Sequence, residues 1–445
     1  MANMINYTNP KNIKAVLDDF VMGQESGTKA IAMAVAEHLL QVRARQEGDY
    51  PDYELPTDNV LLIGPTGCGK TETFRVLERL GEKIGIPVVM VNALDYSGNG
   101  TWRNTRPVSS IFDRVLKKAA DIYFNENRDG DETIEEEKEK ITRIANTAII
   151  MIDEIDKIAM AGEDNALLFL KEYQSVLLKM IEGNTYPVSN LVRKKNGDDD
   201  EDDGDEQEKM TNINVDTTNM MFIFLGAFSG IREITEVRLH RAEMEKKTAK
   251  HPVHEEYQET HMGFLANPDR IPAKKREYSD KELIPSAEDV IRFGFMPELV
   301  GRIPVRTVYY PLSEDSLVEI MLHCKTSAYR EYQRRFQQVG LELKCDRAAL
   351  REIARAAKEQ GMGARGLRAV FDKLLSETRY ELSGTDREIR CLLRGKEIRE
   401  HKPPLIHDRS NLEIRQFERK IAALERKRSK GLRRHRPGHS DGNST

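Results

Sequence analysis

Four cysteines in 445 residues is little thiol, and they stand far apart: Cys68, Cys324, Cys345 and Cys391, with no C-x-x-C pair. That spacing argues against a disulfide framework and a cysteine zinc site, and it fits a reducing cytoplasm. Long hydrophobic runs are also missing. Nothing approaches the roughly 18 apolar residues of a membrane helix, and the N-terminus has no apolar signal core. No membrane association is therefore expected. An excess of one charge is lacking too. Charged residues reach 32%, yet they balance to a net −5, so no global pull toward nucleic acid follows. Tryptophan occurs once, as Trp102. No internal repeat is present. No nucleophile–base arrangement stands out, so peptidase chemistry is not expected of the chain itself.

What is present centres on one stretch. Val60-Leu61-Leu62-Ile63 is a short apolar run, and Gly64-Pro65-Thr66-Gly67-Cys68-Gly69-Lys70-Thr71 follows it. Phe74, Leu77 and Leu80 then share a helical face. Strand, turn and helix carry the phosphate-loop spacing G-x-x-x-x-G-K-[ST]. Glycines let backbone N–H groups curl toward a polyphosphate, and the helix N-terminus adds its positive dipole end. Lys70 is placed to reach β- and γ-phosphates, and the Thr71 hydroxyl to ligate Mg²⁺. Cys68 sits inside this loop, where oxidation or alkylation would be felt.

A second element completes the chemistry. Ala148-Ile149-Ile150-Met151-Ile152 reads as a strand buried on both faces, and it ends in Asp153-Glu154. Carboxylates at the C-terminal edge of such a strand lie where open α/β sheets bind ligands. Asp153 would hold Mg²⁺, and Glu154 would orient and polarise the attacking water. Asp156 and Lys157 read as a solvated helix start.

Taken in order, Asn9-Pro10 opens a helix with Ile13, Val16, Leu17 and Phe20 on one face. Val21-Met22-Gly23-Gln24-Glu25 breaks it before a second helix carrying Ile31, Val35, Leu39 and Val42. Val21 and Met22 either pack an adenine ring or make an ordinary helix–helix turn. Further buried strands are read at 87–91, 220–225 and 305–309. The Gly/Asn-rich loop 96–107 carries Trp102, read as a contact residue rather than core. Residues 125–140 read as a surface excursion. Residues 184–215 read as a mobile break, with Arg193-Lys194-Lys195 ahead of an acidic tract over 198–206. Residues 240–290 read as a charged loop around the island Met262-Gly263-Phe264, either a docking peptide or a satellite cluster. Beyond 313 come helix, short strand (341–345), helix, helix, one more strand (388–393), and a basic helical segment over 411–436. The sum is a doubly wound five-stranded parallel α/β sheet with a smaller, mostly α-helical C-terminal domain. The domains are expected at 1–310 and 311–407, with an acidic insertion near 192–210, a docking loop near 240–285, and a basic tail over 408–445.

Several motifs in this order resemble the ClpX-type AAA+ ATPases of the Clp/HSP100 unfoldase family, over residues 10 to 407. Residues 17–25 resemble the box II segment at the adenine pocket. Residues 64–71 match Walker A, and 152–157 match Walker B. Leu177-Leu178-Lys179-Met180-Ile181-Glu182-Gly183 and Gly226-Ala227-Phe228 match the stretches before and at sensor 1. Residues 295–304 match the arginine-finger segment, and Gly363-Ala364-Arg365-Gly366-Leu367-Arg368 matches sensor 2. The resemblance implies ATP and Mg²⁺ as cofactors. It makes Arg302 the finger that reaches a neighbouring subunit's γ-phosphate, and Arg365 the sensor 2 residue. A finger supplied in trans implies a ring, by analogy a homohexamer. The resemblance also gives Met262-Gly263-Phe264 the pattern of a ClpP-type peptidase docking loop.

The departures bear on substrate choice. Gly100-Thr101-Trp102-Arg103 stands where the family's pore loop reads Gly-Tyr-Val-Gly, so Trp102 becomes the candidate paddle. Arg193 to Lys195 and the acidic tract replace the family's basic RKH loop. The N-terminal zinc-binding domain is expected to be missing. The function implied is an ATP-dependent protein unfoldase and translocase, the ATP-binding subunit of a Clp-type protease, acting on protein substrates. The alternative is a stand-alone remodeller of protein or protein–nucleic acid complexes, with nucleic acid held by the basic tail.

Overall fold

The computed structural model describes residues 6–48, 57–97, 105–126, 133–159, 164–190, 211–250, 278–279, 282–383, 389–408, 419 and 421–422. The expectations for Trp102, for the acidic tract, for Met262-Gly263-Phe264 and for most of the basic segment fall outside these residues.

The chain divides into two compact units, with the boundary between Pro311 and Leu312. In the first, five apolar runs become strands: β1 (Val60–Ile63), β2 (Val88–Asn92), β3 (Ile149–Asp153), β4 (Met221–Gly226) and β5 (Val305–Val308). They pair in the order β2-β3-β4-β1-β5, every pair parallel. This is the expected doubly wound sheet. β1 and β4 are buried along their whole lengths, because helices cover both faces.

Strand alternation sorts the core into two layers. Val60, Leu62, Ile149, Met151, Ile223 and Leu225 face a cluster with α1 (Pro10–Asp18), α2 (Glu25–Glu47) and α3 (Lys70–Ile84). Leu61, Ile63, Ile150, Ile152, Phe222 and Phe224 face the other. That side is covered by α4 (Ile111–Glu126), α5 (Ile134–Ala145), α6 (Asp164–Ile181) and the short helix Pro297–Gly301.

Local chemistry explains the helix starts. Asn9 caps α1 by accepting the Lys11 N–H, with Pro10 in the first turn. Thr133 and Glu136 form a reciprocal capping box at α5.

Three expectations change. The flanks of the supposed break at 184–215 are paired antiparallel strands, Thr185–Asn190 with Thr211–Asp216. The charged stretch from 240 continues a helix, α7 (Ile231–Lys250). Its low apolar content concealed a helix whose described side chains are fully buried only at Ile231 and Thr235. The second unit has two helices ahead of its first strand, Glu314–His323 and Ala328–Gln337, where one was expected. Its sheet joins Leu341–Cys345 in parallel to Ile389–Leu393, which pairs antiparallel with an unforeseen strand, Leu405–Asp408. Helices Arg347–Glu359 and Ala364–Leu382 complete its core around Leu350, Ile353, Leu367 and Phe371.

One buried polar group carries a pH prediction. His38 on α2 donates from Nε2 to the Thr147 carbonyl at 2.9 Å, just ahead of β3. Burial pushes its pKa down to about 4, outweighing the opposing effect of that bond, and Arg45 lowers it further. The unfolded chain therefore binds a proton that the folded chain refuses between about pH 6.5 and 4. The His38 contribution is complete above that window and declines as pH falls through it. Between pH 7 and 5 the loss is about 2 kcal/mol. Chemical denaturation at both pH values should show a smaller acid loss in His38→Gln than in the wild type.

Candidate nucleotide site

The C-terminal edge of the sheet assembles the expected phosphate loop. The Gly64 N–H donates to the Gly226 carbonyl at 3.0 Å, tying the loop's first residue to the end of β4. Gly67 and Gly69 hold φ of 77° and 114°, a region that side chains rarely adopt. Gly69 caps α3 without a side-chain bond, so the helix's first N–H groups and its dipole face the loop. A Cβ on Gly64 would stand 2.8 Å from the Tyr309 carbonyl and 3.0 Å from Cys68 Sγ. Lys70 Nζ donates to the Pro65 carbonyl at 2.9 Å and to the Gly64 carbonyl. Thr71 follows it in the first turn of α3.

Asp153 ends β3, level with Asn92 on β2. Its Oδ1 accepts the Glu154 N–H at 2.8 Å. Glu154 sits at φ 57°, ψ 32°, a left-handed conformation that costs a non-glycine residue about 1–2 kcal/mol. β4 lies between β3 and β1, so the carboxylates stand two strand spacings, roughly 10 Å, from the base of the loop. Among the described residues no three His, Cys, Asp or Glu side chains converge on a metal position. Mg²⁺ keeps several waters and is held by one or two protein oxygens plus phosphate. The donor set of Thr71 and Asp153 beside a phosphate loop fits Mg²⁺ with a nucleotide.

Val21 is buried, and its Cγ1 would stand 3.1 Å from a Cβ on Gly69, so the box II segment packs on the loop. Met22 is half-buried beside it. Gln24 was missed as a site residue. Fully buried, its side-chain amide donates to the Tyr310 carbonyl at 2.8 Å and the Cys68 carbonyl at 3.3 Å. Its oxygen accepts the Tyr310 N–H at 2.8 Å. One side chain thus joins the phosphate loop to the chain leaving β5. Removing it takes a hydrogen-bond partner from the Tyr310 N–H and from the Tyr310 and Cys68 carbonyls, each bond worth about 0.5–1.5 kcal/mol. Gln24→Ala should weaken binding of a fluorescent ADP analogue by roughly tenfold while the protein stays folded; unchanged affinity in a titration would rule the clamp out.

Tyr309 was missed as well. Its N–H donates to the Ile63 carbonyl, and its hydroxyl lies 2.8 Å from Thr73 Oγ1 on α3. Its ring fills the space over Gly27, where a Cβ would come within 2.3 Å. Asp156 corrects an expectation. It is buried rather than solvated, and its Oδ1 accepts the Ala227 N–H at 3.2 Å, joining the end of β3 to the end of β4. Lys157 remains exposed beside it, 3.2 Å from Asp156 Oδ2.

Arg302 stands elsewhere. Its carbonyl accepts from Asn59 Nδ2 at 3.1 Å, and Asn59 Oδ1 accepts the Phe222 N–H at 2.9 Å. Asn59 precedes β1 and Phe222 is the second residue of β4, so Arg302 is fixed at the N-terminal edge of the sheet. Asn59 to Gly64 spans roughly 16 Å of extended chain, longer than an arginine side chain. Arg302 Nε and Nη2 donate to Glu182 Oε1 at 3.1 and 2.8 Å. Arg365 belongs to the second unit, exposed in the first turn of Ala364–Leu382.

Two family models match the chain. Residues 55–306 match the AAA domain (Cdc48 subfamily), and residues 312–382 match the C-terminal, D2-small domain of ClpB protein. The chain belongs to the Clp/HSP100 family of AAA+ ATPases. It is 29% identical over 375 residues to the ATP-dependent Clp protease ATP-binding subunit ClpX of Treponema denticola, covering 84% of this chain and 77% of the relative. As an AAA+ ATPase it is a nucleotide-binding enzyme. Among the described residues no helix is long and apolar enough to cross a membrane.

Proposed function

We propose that this AAA+ ATPase works as a ring, by likeness a homohexamer, that spends ATP hydrolysis on unfolding and threading protein substrates. The observation that carries the reading is the separation of two half-sites on one sheet. Residues 64–71, Asp153 and Glu154 share the C-terminal edge, while Arg302 hangs from the opposite edge. A side chain so placed serves a nucleotide held by a neighbouring chain, which supports a ring whose sites are completed in trans. Lys70 would neutralise phosphate charge, Thr71 and Asp153 would hold Mg²⁺, Glu154 would activate water, and Arg302 would stabilise the charge developing on the transferred phosphoryl group. Val21 and Met22 would pack the adenine, and Arg365 would contact the nucleotide from the smaller domain. The likeness to a protease's ATP-binding subunit supports protein as substrate and a ClpP-type peptidase as partner, with Met262-Gly263-Phe264 as the docking tripeptide and Trp102 as the pore paddle.

The test follows a tagged fluorescent protein incubated with this ATPase, ATP and a ClpP-type peptidase. ATP-dependent loss of fluorescence that persists as degradation in wild type and stops in Met262→Ala/Phe264→Ala supports the reading. Vigorous hydrolysis without any peptidase binding would remove the partner and leave a stand-alone remodeller.

A further inference from the structure

Glu182 and Arg302 are 120 residues apart in sequence, yet their side chains meet at 2.8 Å. Both are held from behind. α6 ends at Ile181, and the Glu182 N–H still donates to the Leu178 carbonyl at 2.9 Å. Gly183 then turns at φ 92°, where a Cβ would strike Thr218 Oγ1 at 2.8 Å. The next residue, Asn184, donates its N–H to Thr217 Oγ1 at 2.9 Å and accepts the Thr217 N–H at 3.0 Å. Thr217 is fully buried and stands four residues ahead of Met221, the first residue of β4. Arg302 hangs from the same end of the sheet through Asn59 and Phe222. Acid and base are thus mounted on one frame at the start of β4.

The bonding pattern is one-sided. Nε and Nη2 of Arg302 both turn to a single carboxylate oxygen of Glu182. A guanidinium offers five N–H donors in a planar fork, so this arrangement fixes its plane while leaving Nη1 for another anion. Both side chains are substantially exposed, and a pair of this kind does little for folding stability. Its consequence is orientation.

We propose that Glu182 is a positioning residue for the arginine finger, setting the plane in which Arg302 meets a phosphoryl group on the neighbouring subunit. This rests on the reading of Arg302 as a finger acting in trans. It also couples the finger to the hairpin that begins at Thr185, since Glu182 and that hairpin are joined by two residues.

The test compares steady-state ATPase in assembled wild type, Glu182→Ala, Glu182→Gln, Arg302→Ala and the double variant. Glu182→Ala should lower kcat about tenfold with KM for ATP unchanged. Glu182→Gln, whose amide oxygen still accepts the Nε–H, should recover most of that loss. The double variant should be no slower than Arg302→Ala, since a positioning residue has nothing left to position. Melting temperature and ring size should not move. A kcat at or above wild type in Glu182→Ala, or a double variant slower than Arg302→Ala, would overturn the proposal. Full activity in Arg302→Ala would overturn the finger reading itself, and this proposal with it.

Discussion

Glu154→Gln should bind ATP normally and hydrolyse it about 10²–10⁴-fold more slowly, the range spanned by loss of a general base. The glutamine keeps the size of the side chain and its place after Asp153, but its amide cannot take a proton from water. Binding should survive because the loop, Lys70 and the Gln24 clamp do not depend on Glu154. A companion substitution separates chemistry from strain. The left-handed φ of 57° suits glycine far better than glutamate. Glu154→Gly should therefore be equally inactive yet more stable, by about 1 kcal/mol. On the proposed reading, stability is thus held back at the residue assigned to water activation. Single-turnover hydrolysis and a denaturation midpoint read the two effects. Near-normal turnover in Glu154→Gln would move the water-activating role to another carboxylate.

Arg302→Ala should produce a loss of comparable size, about 10³-fold in kcat, the lower end of what arginine fingers contribute. Nucleotide affinity should change little, because the geometry keeps this side chain away from its own chain's loop. Folding should change little as well. The Glu182 pair is exposed on both sides, and such pairs contribute about 0–1 kcal/mol. The backbone anchor through Asn59 uses the carbonyl of Arg302, which alanine retains. A large fall in melting temperature would mark Arg302 as a structural residue instead.

Much of the fold could be read from local pattern. The runs at 60–63, 149–152 and 221–225 are apolar without interruption, which only a strand covered on both faces requires. The phosphate loop was legible for the same reason: its chemistry sits within eight consecutive residues. Elements that escaped have a physical cause in common. Among its described side chains α7 fully buries only Ile231 and Thr235, so its sequence lacks a strong apolar stripe and resembles a loop. The strands 185–190 and 211–216 pair across a long charged insertion, and each is too polar to announce itself. In the site, the unread residues act over long separations. Gln24 meets Tyr310 across 286 positions, and Asn59 reaches Arg302 across 243. Asp156 looked solvated because its neighbours are charged; the Ala227 N–H that satisfies it comes from 71 residues away. No spacing rule exposes such contacts, because the sheet order alone creates them.

The central claim is that each site is completed by a second chain, and mixing two inactive variants tests it most directly. Glu154→Gln subunits keep Arg302 but cannot activate water. Arg302→Ala subunits keep Glu154 but lack the finger. Combined and allowed to exchange, they place an intact Arg302 beside an intact Glu154 in a fraction of the interfaces. The account predicts that ATPase activity reappears in the mixture although neither variant has it alone. A mixture as inactive as its components, with exchange between rings verified, would contradict it.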